Sequence, residues 1–204
     1  INSYYSIGGK KRLKKTKELL QSKKIILIDR DGVINKKAKK GFYVSKWDQM
    51  NFIKDTIKSL ISMSKKGYKF IIISNQAGLS RNMIKKNDYK KINLNLKKIF
   101  KNLKINLLNI YTCPHHWDDK CFCRKPNPGL FFKASKMYNF RLDKVIYIGD
   151  QQSDLQASYK AFVKPVLLVN KNKYNKITNK FKPIMYSSKL SLLINKIDKF
   201  YASQ

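Results

Sequence analysis

Acidic residues are scarce in this chain: 12 Asp and Glu stand against 45 Lys and Arg, a formal net charge of +33 over 204 residues. Among those cations only 5 are arginine, and the lysines run through the whole length among Asn, Ile and Tyr. The aromatic-interleaved basic motifs of RNA-binding modules are missing. The charge therefore reads as compositional, and no specific nucleic-acid partner is expected. Apolar runs are short of the ~20 residues that a membrane helix needs, so no membrane span is expected. Residues 1–24 are basic and polar and lack the apolar stretch of a secretory leader, which points to the cytoplasm. Internal repeats and low-complexity linkers are absent too. The 3 cysteines fall between Cys113 and Cys123, and free thiols suit a reducing compartment. Hydrophobic residues make up 43% of the chain, enough for the core of one domain of about 180 residues.

Against that background three apolar runs stand out, each delivering polar groups at its end. Ile25-Ile26-Leu27-Ile28 leads into Asp29-Arg30-Asp31-Gly32. Such a run suits a parallel strand covered on both faces, and a period of two puts Asp29 and Asp31 on one side with Arg30 opposite. Two carboxylates at the carboxyl end of a strand call for a cation, and Mg²⁺ is the expected one. An ordinary solvated Asp-x-Asp-Gly turn is the competing reading. The run Phe70–Ile73 delivers Ser74 and Asn75, with Gly78 placed for close backbone approach to an anion. A third, Val145–Ile148, ends in Gly149-Asp150, where Asp150 can complete a metal site, and an acidic turn that runs to Asp154.

Between the last two lies Cys113-Pro114-His115-His116, followed by Cys121-Phe122-Cys123. Cys113, His115, Cys121 and Cys123 supply the closed four-ligand set of structural Zn²⁺, and His116 is expected on the loop surface. Disulfide pairing competes, but it would leave one thiol over, and Cys121 and Cys123 are too close to pair comfortably. Arg124 and Lys125 follow directly, then Pro126-Asn127-Pro128-Gly129 at a helix start. Apolar spacings of three and four predict covering helices over 53–65 and 89–103, with a closing helix over 187–200. The polar stretch 171–182 reads as an exposed loop.

The order Asp-x-Asp, Ser-Asn, Lys, Gly-Asp resembles the haloacid dehalogenase superfamily of phosphatases. Within it, Asp29 to Asn35, Ser74 to Arg81, and the segment from Cys113 to Gly129 resemble the D-glycero-D-manno-heptose 1,7-bisphosphate phosphatases, with histidinol-phosphate phosphatases as relatives that share the zinc loop. The likeness spans residues 24–195 and implies an α/β, Rossmann-like three-layer α/β/α fold with a parallel central sheet, a minimal cap and a zinc-knuckle loop. It implies a phosphatase in which Asp29 is nucleophile, Asp31 general acid and then base, and Ser74 and Lys125 neutralise phosphoryl oxygens. Mg²⁺ would be held by Asp29, the Asp31 backbone carbonyl and Asp150. Arg30, Gly41, Phe42, Tyr43, Asn75, Gln76, Ala77, Arg81 and Arg124 would bind a small sugar phosphate, in a monomer. Three features depart from the pattern: Gln151 stands where many relatives have a cation, Asn82 where they have glycine, and the loop 36–40 is more basic than expected. A histidinol-phosphate phosphatase is one alternative, a phosphatase of nucleic-acid 3′ ends that would share the Asp-x-Asp chemistry is another, and a zinc-stabilised binding module is the non-enzyme alternative.

The phosphatase domain is thus expected over 23–204, preceded by a basic segment over 1–22. Tyr4 to Leu13 resembles the end of sugar nucleotidyltransferases, which implies a possible upstream domain of that kind; a basic arm is the other reading.

Overall fold

The computed structural model describes residues 9–13, 16, 23–178 and 181–204. The nucleotidyltransferase-like segment at the amino terminus lies largely outside these. Six strands, β1 (Ile25–Ile28), β2 (Lys69–Asn75), β3 (Leu107–Cys113), β4 (Ile146–Gly149), β5 (Lys164–Leu168) and β6 (Met185–Ser187), form one sheet in the order β3-β2-β1-β4-β5-β6. Every pairing is parallel. The helices are α1 (Lys54–Lys65), α2 (Lys86–Asn102), α3 (Gly129–Tyr138), α4 (Gln152–Lys160), α5 (Lys171–Ile177) and α6 (Ile194–Ala202).

Alternation along the strands builds the three layers. Ile26, Ile28, Phe70, Ile72, Ile146 and Ile148 pack with Leu60 and Met63 of α1, Phe100 of α2 and Ile197 of α6. Their neighbours Ile25, Leu27, Ile71, Ile73 and Tyr147 face Phe131 and Ala134 of α3 and Ala157 of α4. Both faces being covered is why β1 reads as an unbroken apolar run. No domain is inserted between these elements. Among the described residues the loop after β1 and the cysteine loop between β3 and α3 hold no α-helix or sheet strand, only the short turns Trp47–Gln49 and Trp117–Asp119, in keeping with the minimal cap the resemblance implies.

Three expected boundaries shift. Helix α2 begins a turn early, because its first turn, Lys86 to Asp88, is polar and leaves no apolar spacing to read. The closing helix starts only at Ile194, since residues 185–187 are taken by β6 and Ser191 is tied to Asp55, Oγ to Oδ1 at 2.6 Å. The stretch expected as a loop over 171–182 holds α5 instead. Asn170 caps it by accepting from the Lys173 amide at 2.9 Å, and Tyr174 and Ile177 pack against Leu155, Leu167 and Val169. A cap plus two apolar residues three apart was enough, despite the lysines around them.

Candidate active site

Chain order turns back between β1 and β4, and at such a switch point the loops diverge and leave a crevice at the carboxyl edge. The Asp29 amide carries the ladder one step further by donating to the Ile148 carbonyl at 2.8 Å. Strand geometry stops there, so the alternation expected of Arg30 does not hold. Arg30 is 1% exposed and folds back on Asp31, with Nε and Nη2 donating to Oδ2 at 3.1 and 2.8 Å. It supports the second carboxylate and does not line the crevice. Gly32 has a φ of +95°, and a Cβ there would lie 2.7 Å from Asp150 Oδ2, so only glycine lets the two acidic turns meet.

Lys125 is the hub of the site. Its ammonium lies 2.9 Å from Asp29 Oδ1 and 2.8 Å from Asp154 Oδ1, and also reaches the Tyr147 hydroxyl at 2.6 Å and the Ile73 carbonyl at 3.2 Å. Four acceptors surround three N–H groups. The Lys125 backbone is clamped by Asn75, which donates from Nδ2 to its carbonyl and accepts its amide, both at 3.0 Å. Asp154 is in turn fixed at Oδ2 by the amides of Asp150 and Gln151, each at 3.0 Å. Neither Asp154 nor Tyr147 was picked out from sequence. The spacing Gly-Asp-x-x-x-Asp, which sets the second carboxylate in the first turn of α4, was the available signal for Asp154.

Burial pushes the Asp29 carboxyl up to about 7; Lys125 works against this, while Asp154 and Asp31 add to it. Both donors to Asp29, Lys125 and the Arg30 amide, meet Oδ1, and Oδ2 has no donor among the described residues. Burial also acts on Asp31, but the Arg30 charge and hydrogen bonds from Asn35, Arg30 and Gln76 hold it below the usual carboxylate range. Lys125, though buried, is raised above the usual ammonium range by Asp154 and Asp29.

A cavity of about 340 Å³ opens over Asp29, Asp31, Ser74 and Lys125. Gly41, Phe42, Tyr43, Asn75 and Arg124 also line it, as expected. Gln76 and Ala77 do not. Gln76 is buried and its Nε2 donates to Asp31 Oδ2 at 2.7 Å and to Ser74 Oγ at 2.8 Å, so it orients the acid; Ala77 is a buried turn residue. Arg81 stays outside the cavity, its guanidinium between the rings of Tyr43 and Trp117, 6.0 and 5.0 Å from their centroids. Two lysines that were not anticipated, Lys37 and Lys173, each reach Asp150 Oδ2 at 2.7 Å.

Two groups of side chains could hold metals. Asp29, Asp150 and Asp154 bring ligand oxygens within 4.8 Å of one another, and Asp150 Oδ1 is buried with no hydrogen-bond partner. Asp154 spends both oxygens on Lys125 and the backbone amides, which leaves Asp29 and Asp150 as the carboxylates open to a hard cation. In the knuckle, Cys113 Sγ lies 3.6 Å from Cys121 Sγ, as does Cys123 Sγ, and His115 Nδ1 lies 3.6 and 3.1 Å from the sulfurs of Cys113 and Cys123. Zn–S bonds of about 2.3 Å imply tetrahedral S···S edges of about 3.8 Å, so the four donors fit one ion. His116 turns away to Asp118, 3.1 Å from Nδ1 to Oδ2.

A parallel sheet of this order, with an acidic pair after its first strand and a lysine and a second acidic pair around it, defines a phosphatase of the haloacid dehalogenase fold, a phosphoric monoester hydrolase. The chain belongs to the family described as polynucleotide kinase 3 phosphatase, whose family model matches residues 24–162. It is 36% identical over 154 residues to a D-glycero-beta-D-manno-heptose-1,7-bisphosphate 7-phosphatase of Helicobacter pylori, covering 75% of this chain and 87% of that one. A D-glycero-alpha-D-manno-heptose-1,7-bisphosphate 7-phosphatase of Photorhabdus laumondii is 33% identical, with 72% and 82% covered. Among solved structures, the D,D-heptose 1,7-bisphosphate phosphatase of B. bronchiseptica with magnesium and phosphate superposes with a TM-score of 0.77 at 24% identity, covering 86% of this chain and 98% of that one.

Proposed function

We propose that this enzyme removes the 7-phosphate from D-glycero-D-manno-heptose 1,7-bisphosphate through a phosphoaspartyl intermediate. The observation that carries the substrate class is the 36% identity to a heptose bisphosphate phosphatase over 87% of its length. Asp29 attacks phosphorus through Oδ2, the oxygen with no donor among the described residues. Asp29 and Asp150, with the Asp31 carbonyl, would hold Mg²⁺, which would supply charge that keeps Asp29 ionised and offsets phosphoryl charge. Ser74 and Lys125 meet the equatorial oxygens, where such a reaction concentrates charge. Lys125 must release one of its four acceptors to do so. Asp31 protonates the leaving sugar oxygen and then activates water on the acyl phosphate. Arg30, Asn35 and Gln76 hold it ionised beforehand; the arrival of a phosphate dianion raises its proton affinity by like charge, so that it takes up a proton from solvent and passes that proton to the leaving oxygen. Arg124 holds the rest of the sugar.

We assign Zn²⁺ to Cys113, His115, Cys121 and Cys123 in a structural part, since four protein ligands leave no open position. A cytoplasmic location fits the free thiols. Phosphate release from α- and β-heptose 1,7-bisphosphate, histidinol phosphate and a 3′-phosphorylated oligonucleotide, compared with Mg²⁺, tests the reading. A kcat/KM for either of the last two that exceeds both heptose substrates by about tenfold, roughly 1.4 kcal/mol, would overturn it. The nucleic-acid 3′ end is the second reading, favoured by the family's description and the charge of +33.

A further inference from the structure

The two oxygens of Asp31 are unequally loaded with donors. Oδ2 accepts Arg30 Nε at 3.1 Å, Arg30 Nη2 at 2.8 Å and Gln76 Nε2 at 2.7 Å. Oδ1 accepts only Asn35 Nδ2, at 2.9 Å, among the described residues. A carboxylate oxygen has two lone pairs, so Oδ2 is saturated while Oδ1 keeps one lone pair free. We infer that Asp31 carries its proton on Oδ1, and that Arg30 and Gln76 are positioning residues that hold Oδ2 so that Oδ1 meets the leaving oxygen. The inference rests on the proposed phosphatase reading, with Asp29 as nucleophile and Asp31 as acid and base.

Both donors to Oδ2 are fixed behind the acid. Arg30 and Gln76 are each 1% exposed, whereas the Asp31 side chain is 26% exposed and lines the crevice. The Arg30 carbonyl accepts the amides of Ile34 and Asn35 at 2.8 and 3.1 Å, which closes the turn that carries the acid, and the Gln76 amide is tied to the Cys113 carbonyl. The planar fork of Arg30 sets the plane of the carboxylate as well as its charge, which a point charge would not do. Gln76 has a second effect. The two hydrogens on its Nε2 go to Asp31 Oδ2 and, at 2.8 Å, to Ser74 Oγ, so Ser74 accepts from the amide and its own hydroxyl hydrogen is left for a phosphoryl oxygen. One buried amide thus aligns the group that meets the phosphate and the group that serves the leaving oxygen.

In the first step Asp29 Oδ2 bonds to phosphorus as the bond from phosphorus to the sugar oxygen breaks; that oxygen keeps the electron pair and takes the proton from Asp31 Oδ1. In the second, Asp31 Oδ1 takes a proton from water as the water oxygen bonds to phosphorus, and the bond to Asp29 breaks with its electron pair returning to the carboxylate. The cycle ends with the alcohol, inorganic phosphate and Asp31 protonated again.

The test compares kcat/KM for heptose 1,7-bisphosphate, an alkyl phosphate, with that for p-nitrophenyl phosphate, whose leaving phenolate needs no proton, at saturating Mg²⁺. This ratio covers the steps through loss of the alcohol or phenol, so the work of the acid separates the two substrates. Arg30→Lys, which keeps the charge and gives up the fork, should lower the alkyl value at least about tenfold more than the aryl value. Gln76→Leu, close in volume and independent of the Arg30 change should that impair folding, should show the same difference on top of a loss common to both substrates through Ser74. Equal losses on the two substrates in both variants would overturn the inference. So would a rise in the alkyl value, the result if Oδ2 were the proton carrier and its donors stood in the way. A parent that prefers histidinol phosphate or a 3′-phosphorylated oligonucleotide overturns the heptose reading alone, because the same comparison on that alkyl phosphate still decides the inference; a parent without phosphatase activity toward any of them overturns both.

Discussion

Asp29 shows how far burial and charge compete at a single residue. Removed from water it favours the neutral acid, yet in the proposed role of nucleophile it must be a carboxylate. Its folded value near 7 lies above the ordinary 3.8, so its contribution to stability is full below about pH 4 and is lost as pH rises through 7. A divalent cation binds the ionised form and relieves that loss. The melting-temperature gain from Mg²⁺ should therefore grow from about pH 5 to about pH 8, and in Asp29→Asn it should be small and flat; thermal melts with and without the ion decide this. The same variant should lose more than about a thousandfold in kcat with its fold intact, because an amide is a very poor nucleophile toward phosphorus. Activity within about tenfold of the parent would remove Asp29 from the role. Tyr147→Phe offers a finer probe of the hub: one of Lys125's four acceptors goes, and kcat should fall severalfold while KM moves little, read from steady-state kinetics. Asp29, Asp31, Ser74 and Lys125 could be seen in sequence because each sits at the end of an apolar run or in a distinctive loop. Tyr147 could not, since a tyrosine inside an apolar strand looks like core until its hydroxyl is placed. Arg30 misled for the opposite reason: beyond Ile28 the chain turns, and strand alternation no longer governs where a side chain goes.

Among the elements, the cysteine loop carries the clearest consequence. It leaves β3 at buried Cys113 and delivers Lys125 two residues after its last thiol, while the Cys113 carbonyl accepts the Gln76 amide at 2.8 Å and Asn127 Nδ2 donates to the Cys121 carbonyl at 2.9 Å. The four candidate metal ligands and Lys125 thus share one short backbone path. A Cys121→Ser, Cys123→Ser double variant is expected to lose its zinc, by metal analysis of protein prepared without chelator, and to melt lower with much reduced kcat. Unchanged zinc content would reject the site, and Zn²⁺ replacing Mg²⁺ in turnover would contradict a structural part. This loop was legible because every cysteine and histidine of the chain lies between Cys113 and Cys123. Helix α5 was not, because its apolar face is only Tyr174 and Ile177 among lysines and asparagines, and the core cluster it completes is formed by residues distant in sequence.

At the scale of the molecule, a charge of +33 has to be reconciled with a site whose buried cations are paired. Lys125 and Arg30 are buried against carboxylates, and burial limits how far salt can screen them. Most other lysines are exposed, where their attraction for polyanions comes from counterion release and falls steeply with ionic strength. The two populations should therefore respond differently to salt. Oligonucleotide binding, followed by fluorescence anisotropy, should be non-specific and drop by orders of magnitude from about 50 to about 200 mM salt. Over the same range kcat/KM for the sugar bisphosphate should change far less, because its reacting phosphate is held inside the crevice. The fold and the order of the motifs were legible in the sequence, but the division of the cations was not, since composition counts lysines without saying which face carboxylates. If binding instead survives the higher salt and prefers 3′-phosphorylated ends, the exposed lysines form a specific surface, and the nucleic-acid substrate takes precedence over the sugar.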